Sequence, residues 1–185
     1  MIYVCIICVT GMRGSGKTVF GEIAISMGYK IYEMRSIVED MMIKQNVKID
    51  NTSMREFAKD IRERYGKDIV AREMVKKLET ESSKNILIVG IRGMYEVRKF
   101  REVFGEKEVL LLSIHSSPRA RYERVLMRKH KIDDPSNYDE FLWSDEMELG
   151  YGISKAIALS DEMIVNNTDL NSFIEVCKGF LNKVK

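Results

Sequence analysis

At 185 residues, with 45% hydrophobic and 31% charged side chains, the chain has the length and composition of one folded domain and not of a disordered or fibrous polymer. Its 30 basic and 28 acidic side chains leave a net charge of +2, too balanced to mark a nucleic-acid surface. Only two prolines and 12 glycines argue against a turn-rich, all-β design.

The apolar, β-branched run Ile2–Val9 reads as a strand buried on both faces. It is too short to cross a bilayer and lacks a cationic leader, so the expectation is a cytoplasmic protein with no membrane partner. Within it, Cys5-Ile6-Ile7-Cys8 is formally C-x-x-C. On a strand the two Cα atoms would lie about 10 Å apart, beyond the roughly 4.4–6.8 Å a disulfide spans. Both are expected to be buried thiols, as is Cys177 on the apolar stripe of the last helix.

Next comes Gly11-Met12-Arg13-Gly14-Ser15-Gly16-Lys17-Thr18, the pattern G-x-x-x-x-G-K-T. It follows a predicted strand and opens a predicted helix, Lys17 to about Met27, ended by Gly28. That context gives the glycines a purpose: they let backbone N–H groups turn inward as a nest for phosphate, beside the positive end of the helix. Lys17 is placed to reach the β- and γ-phosphates of ATP or a related nucleotide, and the Thr18 hydroxyl to bind Mg²⁺. Arg13 either touches phosphate or is exposed.

Tyr29–Glu33 is expected as a short second strand, followed by a helix-rich stretch over about 36–80. There Ser53 and Glu56 have capping-box spacing, Met54, Phe57, Ala58, Ile61 and Tyr65 form an apolar stripe, and Gly66 breaks the helix. Ile86–Val89 reads as a third strand, Val109–Ile114 as a fourth and Met163–Val165 as a fifth. Pro118 suits the first turn of a helix running to about Lys129. A polar loop follows, then an acidic helix to about Leu149, and a last helix from Leu170. This alternation implies a single α/β domain over 1–185: a parallel sheet covered on both faces, with a helical insertion over about 34–80. Arg121, Arg124 and Arg128 share a helical face. His115, read as a loop residue, and His130 have no metal-ligand partners at useful spacing.

With the loop, "FAKDIRERYGKDIVAR" from Phe57, "GIRGMYEVRKF" from Gly90, "SIHSSPRARYERV" from Ser113, "DDP" from Asp133 and "GISKAIALSDEMIVNN" from Gly152 span nearly the whole chain. Together they resemble the archaeal P-loop kinase-like proteins related to dephospho-CoA kinase and adenylate kinase. The resemblance implies five parallel strands, a helical acceptor-binding region, a small lid around residues 128–140, and phosphoryl transfer from ATP with Mg²⁺ to a nucleotide or nucleotide-like small molecule. It carries a phosphate role to Lys17; Arg124 and Arg128 either contact phosphate or belong to a solvated basic face, and Arg92 keeps the family position, as a phosphate ligand or a structural ion pair.

Three departures bear on turnover. Where similar proteins carry an Asp that organises Mg²⁺ at the end of the third strand, this chain has Val89; Glu33 is the candidate substitute. On the acceptor side an Asp has become Ser36 and an Arg has become Glu39, which is expected to repel an acceptor phosphate. After the lid, Arg-Asp-Arg has become Ser144-Asp145-Glu146. The alternatives are a weakened kinase, a non-catalytic nucleotide-binding regulatory protein, or a slow ATPase.

Overall fold

The computed structural model describes residues 6–128 and 135–184. Strands β1 (Ile6–Thr10), β2 (Lys30–Glu33), β3 (Ile86–Val89), β4 (Val109–His115) and β5 (Glu162–Val165) form one sheet, ordered β2-β3-β1-β4-β5 and parallel at every pairing. Helices α1 (Lys17–Ser26), α2 (Met34–Lys44), α3 (Asn51–Tyr65), α4 (Ile69–Leu78) and α5 (Met94–Phe104) precede β4. Helices α6 (Pro118–Met127), α7 (Tyr138–Gly150), α8 (Ile153–Ala158) and α9 (Leu170–Val184) follow it.

The apolar run of β1 is buried on both faces because successive residues point to opposite sides of the sheet. Ile6 and Cys8 join a core with residues of α2, α3, α4 and α5. Ile7 and Val9 join a second core with Phe20, Ile23 and Ala24 of α1 and Phe173, Cys177 and Leu181 of α9. Helices thus cover both faces, as the alternation of elements implied. Cys8 and Cys177 are free, buried thiols. Burial pushes both pKa values up, that of Cys177 to about 12. Cys5 lies outside the described residues.

Several local expectations are corrected. The cap of α3 is Asp50, whose carboxylate accepts the Ser53 backbone N–H at 2.9 Å, and not a Ser53–Glu56 box. An Asp one turn earlier caps as well as a Ser does, and the helix starts there. Helix α6, capped by Ser117, ends at Met127, and Arg128 is extended. Helix α8 was not anticipated: at six residues it is too short to show a period. His115 is the last residue of β4, and its carbonyl accepts Asn166 N–H at 2.7 Å. Of the expected lid, residues 129–134 lie outside the described residues, with His130 and Asp133, and α7 already begins at Tyr138. On either side of that interval, Tyr122 packs against Tyr138 and Phe141 with ring centroids 5.0 and 5.4 Å apart. Among the described residues no helix is long and apolar enough to cross a membrane.

The order of strands fixes where chemistry can occur. β1 lies between β3 and β4, so the loops leaving the carboxyl ends of all three converge, the usual place for a ligand in an open parallel sheet.

Candidate functional site

Thr10 ends β1, and its hydroxyl donates to the Ile91 carbonyl at 2.9 Å. The N–H groups of Gly90 and Ile91 donate back to Val9 O, tying the segment after β3 to the start of the glycine loop. The loop then wraps residues 11–16 ahead of α1. Gly14 and Gly16 have φ of +76° and +113°. A Cβ on Gly14 would stand 2.8 Å from the Arg121 carbonyl oxygen, and one on Gly16 2.5 Å from Asn166 Nδ2, so both backbone sign and space require glycine.

The Lys17 amine donates to Gly11 O at 2.5 Å and Met12 O at 2.9 Å, curled over the loop it belongs to. Burial pulls its pKa down to about 8, with Arg92, Arg121 and Arg13 pushing the same way and Glu148 opposing. Ser15 Oγ is buried with no hydrogen-bond partner. An under-neutralised amine, an orphaned buried hydroxyl and left-handed glycines ahead of a helix N-terminus fit a chain of phosphate oxygens.

The loop lines a cavity of about 420 Å³. Lys17, Thr18, Arg92, Arg124 and Arg128 all border it, so the structure brings together the residues the sequence singled out. Gly11, Arg13, Gly14, Ser15 and Gly16 border it too; Met12 does not, and serves through its carbonyl. A second cavity of about 400 Å³ lies beside it, walled by α1, α2, α3 and the end of β3. The two share Arg13, Lys17, Thr18, Arg35, Gly90, Arg92 and Glu148.

The cations divide by what holds them. Arg121 is buried: its guanidinium donates to Asp145 Oδ1 and Oδ2, to the Arg13 carbonyl and to Ser116 O, and lies 5.0 Å from the Phe141 ring. Arg124 donates to Ser116 Oγ at 3.0 Å and to Asn166 O and Oδ1 at 2.8 and 3.1 Å, while Asn166 Nδ2 donates to Ser15 O at 2.8 Å. Arg124 therefore braces the loop from behind as well as facing the cavity. Arg92 is paired with Glu148 at 3.2 Å and lies over Tyr151.

Residues 7–143 match the model of an AAA domain. Over 179 residues the chain is 34% identical to a UPF0200 protein of Hyperthermus butylicus, covering 97% of this chain and 94% of that one. It is 37% identical to the UPF0200 protein of Methanothermobacter thermautotrophicus, covering 97% and 90%. The chain belongs to the UPF0200 family. Solved structures agree on the fold: TT1252 from Thermus thermophilus superposes with a TM-score of 0.68 at 15% identity, covering 99% of each chain. Dephospho-CoA kinase from Campylobacter jejuni gives 0.57 at 15%, covering 97% of this chain and 96% of that one. The fold is that of the P-loop kinases, as the sequence resemblance implied.

Two of the departures, Glu39 and Glu146, lie outside the lining of both cavities. Glu39 is half-buried and accepts from Arg35 at 2.9 Å, and Arg35 itself lines both cavities. Glu146 is exposed and also lines neither, whereas Glu148, two residues on, lines both. Ser144 is buried, and Asp145 is the partner of Arg121. Sequence reasoning missed Glu148 because α7 has acids on several faces, and missed Arg55 and Arg62 of α3, which line the second cavity. Val89 does sit at the cavity, with Glu33 directly beside it in parallel register.

Proposed function

We propose that this chain binds ATP with Mg²⁺ on the Gly11–Thr18 loop and transfers the γ-phosphoryl group to a small molecule in the second cavity, at a reduced rate. The observation that carries the reading is the sharing of Lys17, Thr18, Arg92 and Glu148 by two adjoining cavities, each large enough for a small ligand. A donor phosphate in one and an acceptor in the other would meet at those side chains.

The loop amides and Lys17 hold the phosphates, while Arg92, Arg124 and Arg128 offset charge around them. The Thr18 hydroxyl, with Glu33 as the nearby carboxylate, would hold Mg²⁺, which when bound neutralises phosphate charge. An acceptor oxygen bonds to the γ-phosphorus as the bond to the β–γ bridging oxygen breaks. The acceptor's hydroxyl proton passes to Glu148, the carboxylate common to both cavities. The nucleotide-like character of the acceptor and a cytoplasmic location belong to the same reading, the latter supported by the free thiols of Cys8 and Cys177.

Val89 favours a second reading, in which nucleotide is held as a regulatory ligand or hydrolysed slowly without an acceptor. A nucleotide titration with and without Mg²⁺, followed by phosphate-release and phosphate-transfer assays on the same sample, separates the readings. Binding with transfer supports the first. Binding with neither release nor transfer supports the regulatory form, and release without transfer the ATPase form.

A further inference from the structure

On α3 the basic side chains are Arg55, Lys59, Arg62 and Arg64. Lys59 pairs with Glu63, Arg64 with Asp60, and Arg62 with Glu96 on α5. Arg55 makes no hydrogen bond or ion pair among the described residues, and it lines the second cavity. Arg62, seven positions on and so on the same helical face, lines it as well.

Arg62 is held in place from behind. Its Nη1 donates to Ala58 O at 2.9 Å and its Nη2 to Glu96 Oε1 at 3.3 Å. The other Glu96 oxygen accepts the Arg92 N–H at 2.8 Å, so a buried carboxylate joins α3 to the segment after β3. Burial pushes the Glu96 pKa up, and Arg62 pulls it back. Arg62 Nε is buried without an acceptor, and the side chain as a whole is only 13% exposed. Five guanidinium donors on Arg55 and the uncommitted donors of Arg62 are thus turned over to one wall of a cavity of about 400 Å³. Ile25, Ile31, Met34, Val38 and Met54 supply apolar surface to that cavity, and Glu22 and Glu33 supply acceptors for hydroxyl groups.

We infer that Arg55 and Arg62 form an anion subsite, and that the ligand of the second cavity is a hydroxylated small molecule carrying a phosphate monoester or a carboxylate. A planar guanidinium fork matches either oxyanion with paired N–H donors. That the hydroxyl is phosphorylated rests on the function proposed above; the anion subsite does not.

Calorimetry on protein saturated with a non-hydrolysable ATP analogue tests it, with D-ribose 5-phosphate and D-gluconate as the two anionic titrants and uncharged D-ribose as the control. At least one anion should bind, D-ribose at least tenfold more weakly, and the preferred anion identifies phosphate or carboxylate. Arg55→Gln should weaken that anion at least tenfold while affinity for the ATP analogue stays within twofold. Because Arg55 is unpaired, this variant should melt as the wild type does; Arg62→Lys, which keeps a charge beside Glu96, should weaken the anion less than Arg55→Gln. The inference is overturned if neither anion binds, if D-ribose binds as well as both, if Arg55→Gln binds the anion unchanged, or if the anion only competes with the analogue. Failure of the analogue to bind wild-type protein would sink the proposed function instead, and the same anion titration without nucleotide then decides the subsite.

Discussion

Arg121 and Asp145 face each other as a buried two-pronged pair, Nη1–Oδ1 2.9 Å and Nη2–Oδ2 2.5 Å. Through the same guanidinium, α6 holds the Arg13 carbonyl of the glycine loop and α7 at once. The strength of such a pair shows when one side is removed, because the remaining charge stays buried. Asp145→Ala should cost about 3–5 kcal/mol in chemical denaturation. It should also weaken nucleotide binding, since the loop loses a brace. A variant as stable as wild type would show that the pair opens to water.

Lys17 offers a test from both composition and pH. Lys17→Ala should weaken a triphosphate nucleotide by about 1.5–3 kcal/mol, the scale of a charged hydrogen bond. Unchanged affinity would remove the loop from the site.

The Lys17 pKa of about 8 in the unliganded protein lies below its ordinary value of 10.5. Phosphate binds the charged amine, so above about pH 8 the protein should take up a proton on binding, and affinity should fall as pH rises. Calorimetry at pH 8.5 in buffers of different ionisation enthalpy reads that uptake directly. For stability the sign is opposite. Between about 8 and 10.5 the unfolded chain holds more protons than the folded one, so this group's contribution rises with pH across that window. Identical binding enthalpies in all buffers would contradict the buried, charge-crowded amine.

Much of this was legible in sequence because it depends on local rules. An apolar run followed by G-x-x-x-x-G-K-T can be read without knowing what packs against it, and so could the order of strands and helices apart from the short α8. The second cavity could not. Helix α3 carries charges around its circumference, and only the docking of Phe57 and Ile61 into the core turns Arg55 and Arg62 toward α1 and β3. Glu146 looks hostile in the chain but is exposed, and Glu39 is held by Arg35 outside the lining of both cavities. Asp and Ser cap about equally well, so spacing alone could not tell that α3 begins one turn upstream of Ser53, at Asp50.

Position 89 is where the sequence's warning survives in three dimensions. Val89 lines the second cavity, and Glu33 stands beside it on β2 in parallel register, about 4.8 Å away across the sheet. A carboxylate one strand over is displaced sideways from where an aspartate at 89 would act, so it can hold a metal-bound water only loosely, whereas the backbone nest holds phosphate independently. Mg²⁺ dependence of nucleotide binding should therefore be shallow in the wild type. Val89→Asp should steepen it and raise phosphate transfer, since the loop, Lys17 and Arg92 are already in place. Glu33→Gln should flatten the dependence further if Glu33 is the working substitute, and should matter less in the Val89→Asp background, a non-additivity that a double-mutant cycle reads. Wild-type transfer at about 1–100 per second, the ordinary kinase range, would show that Glu33 fully replaces the missing aspartate. In that case Val89→Asp should bring no gain.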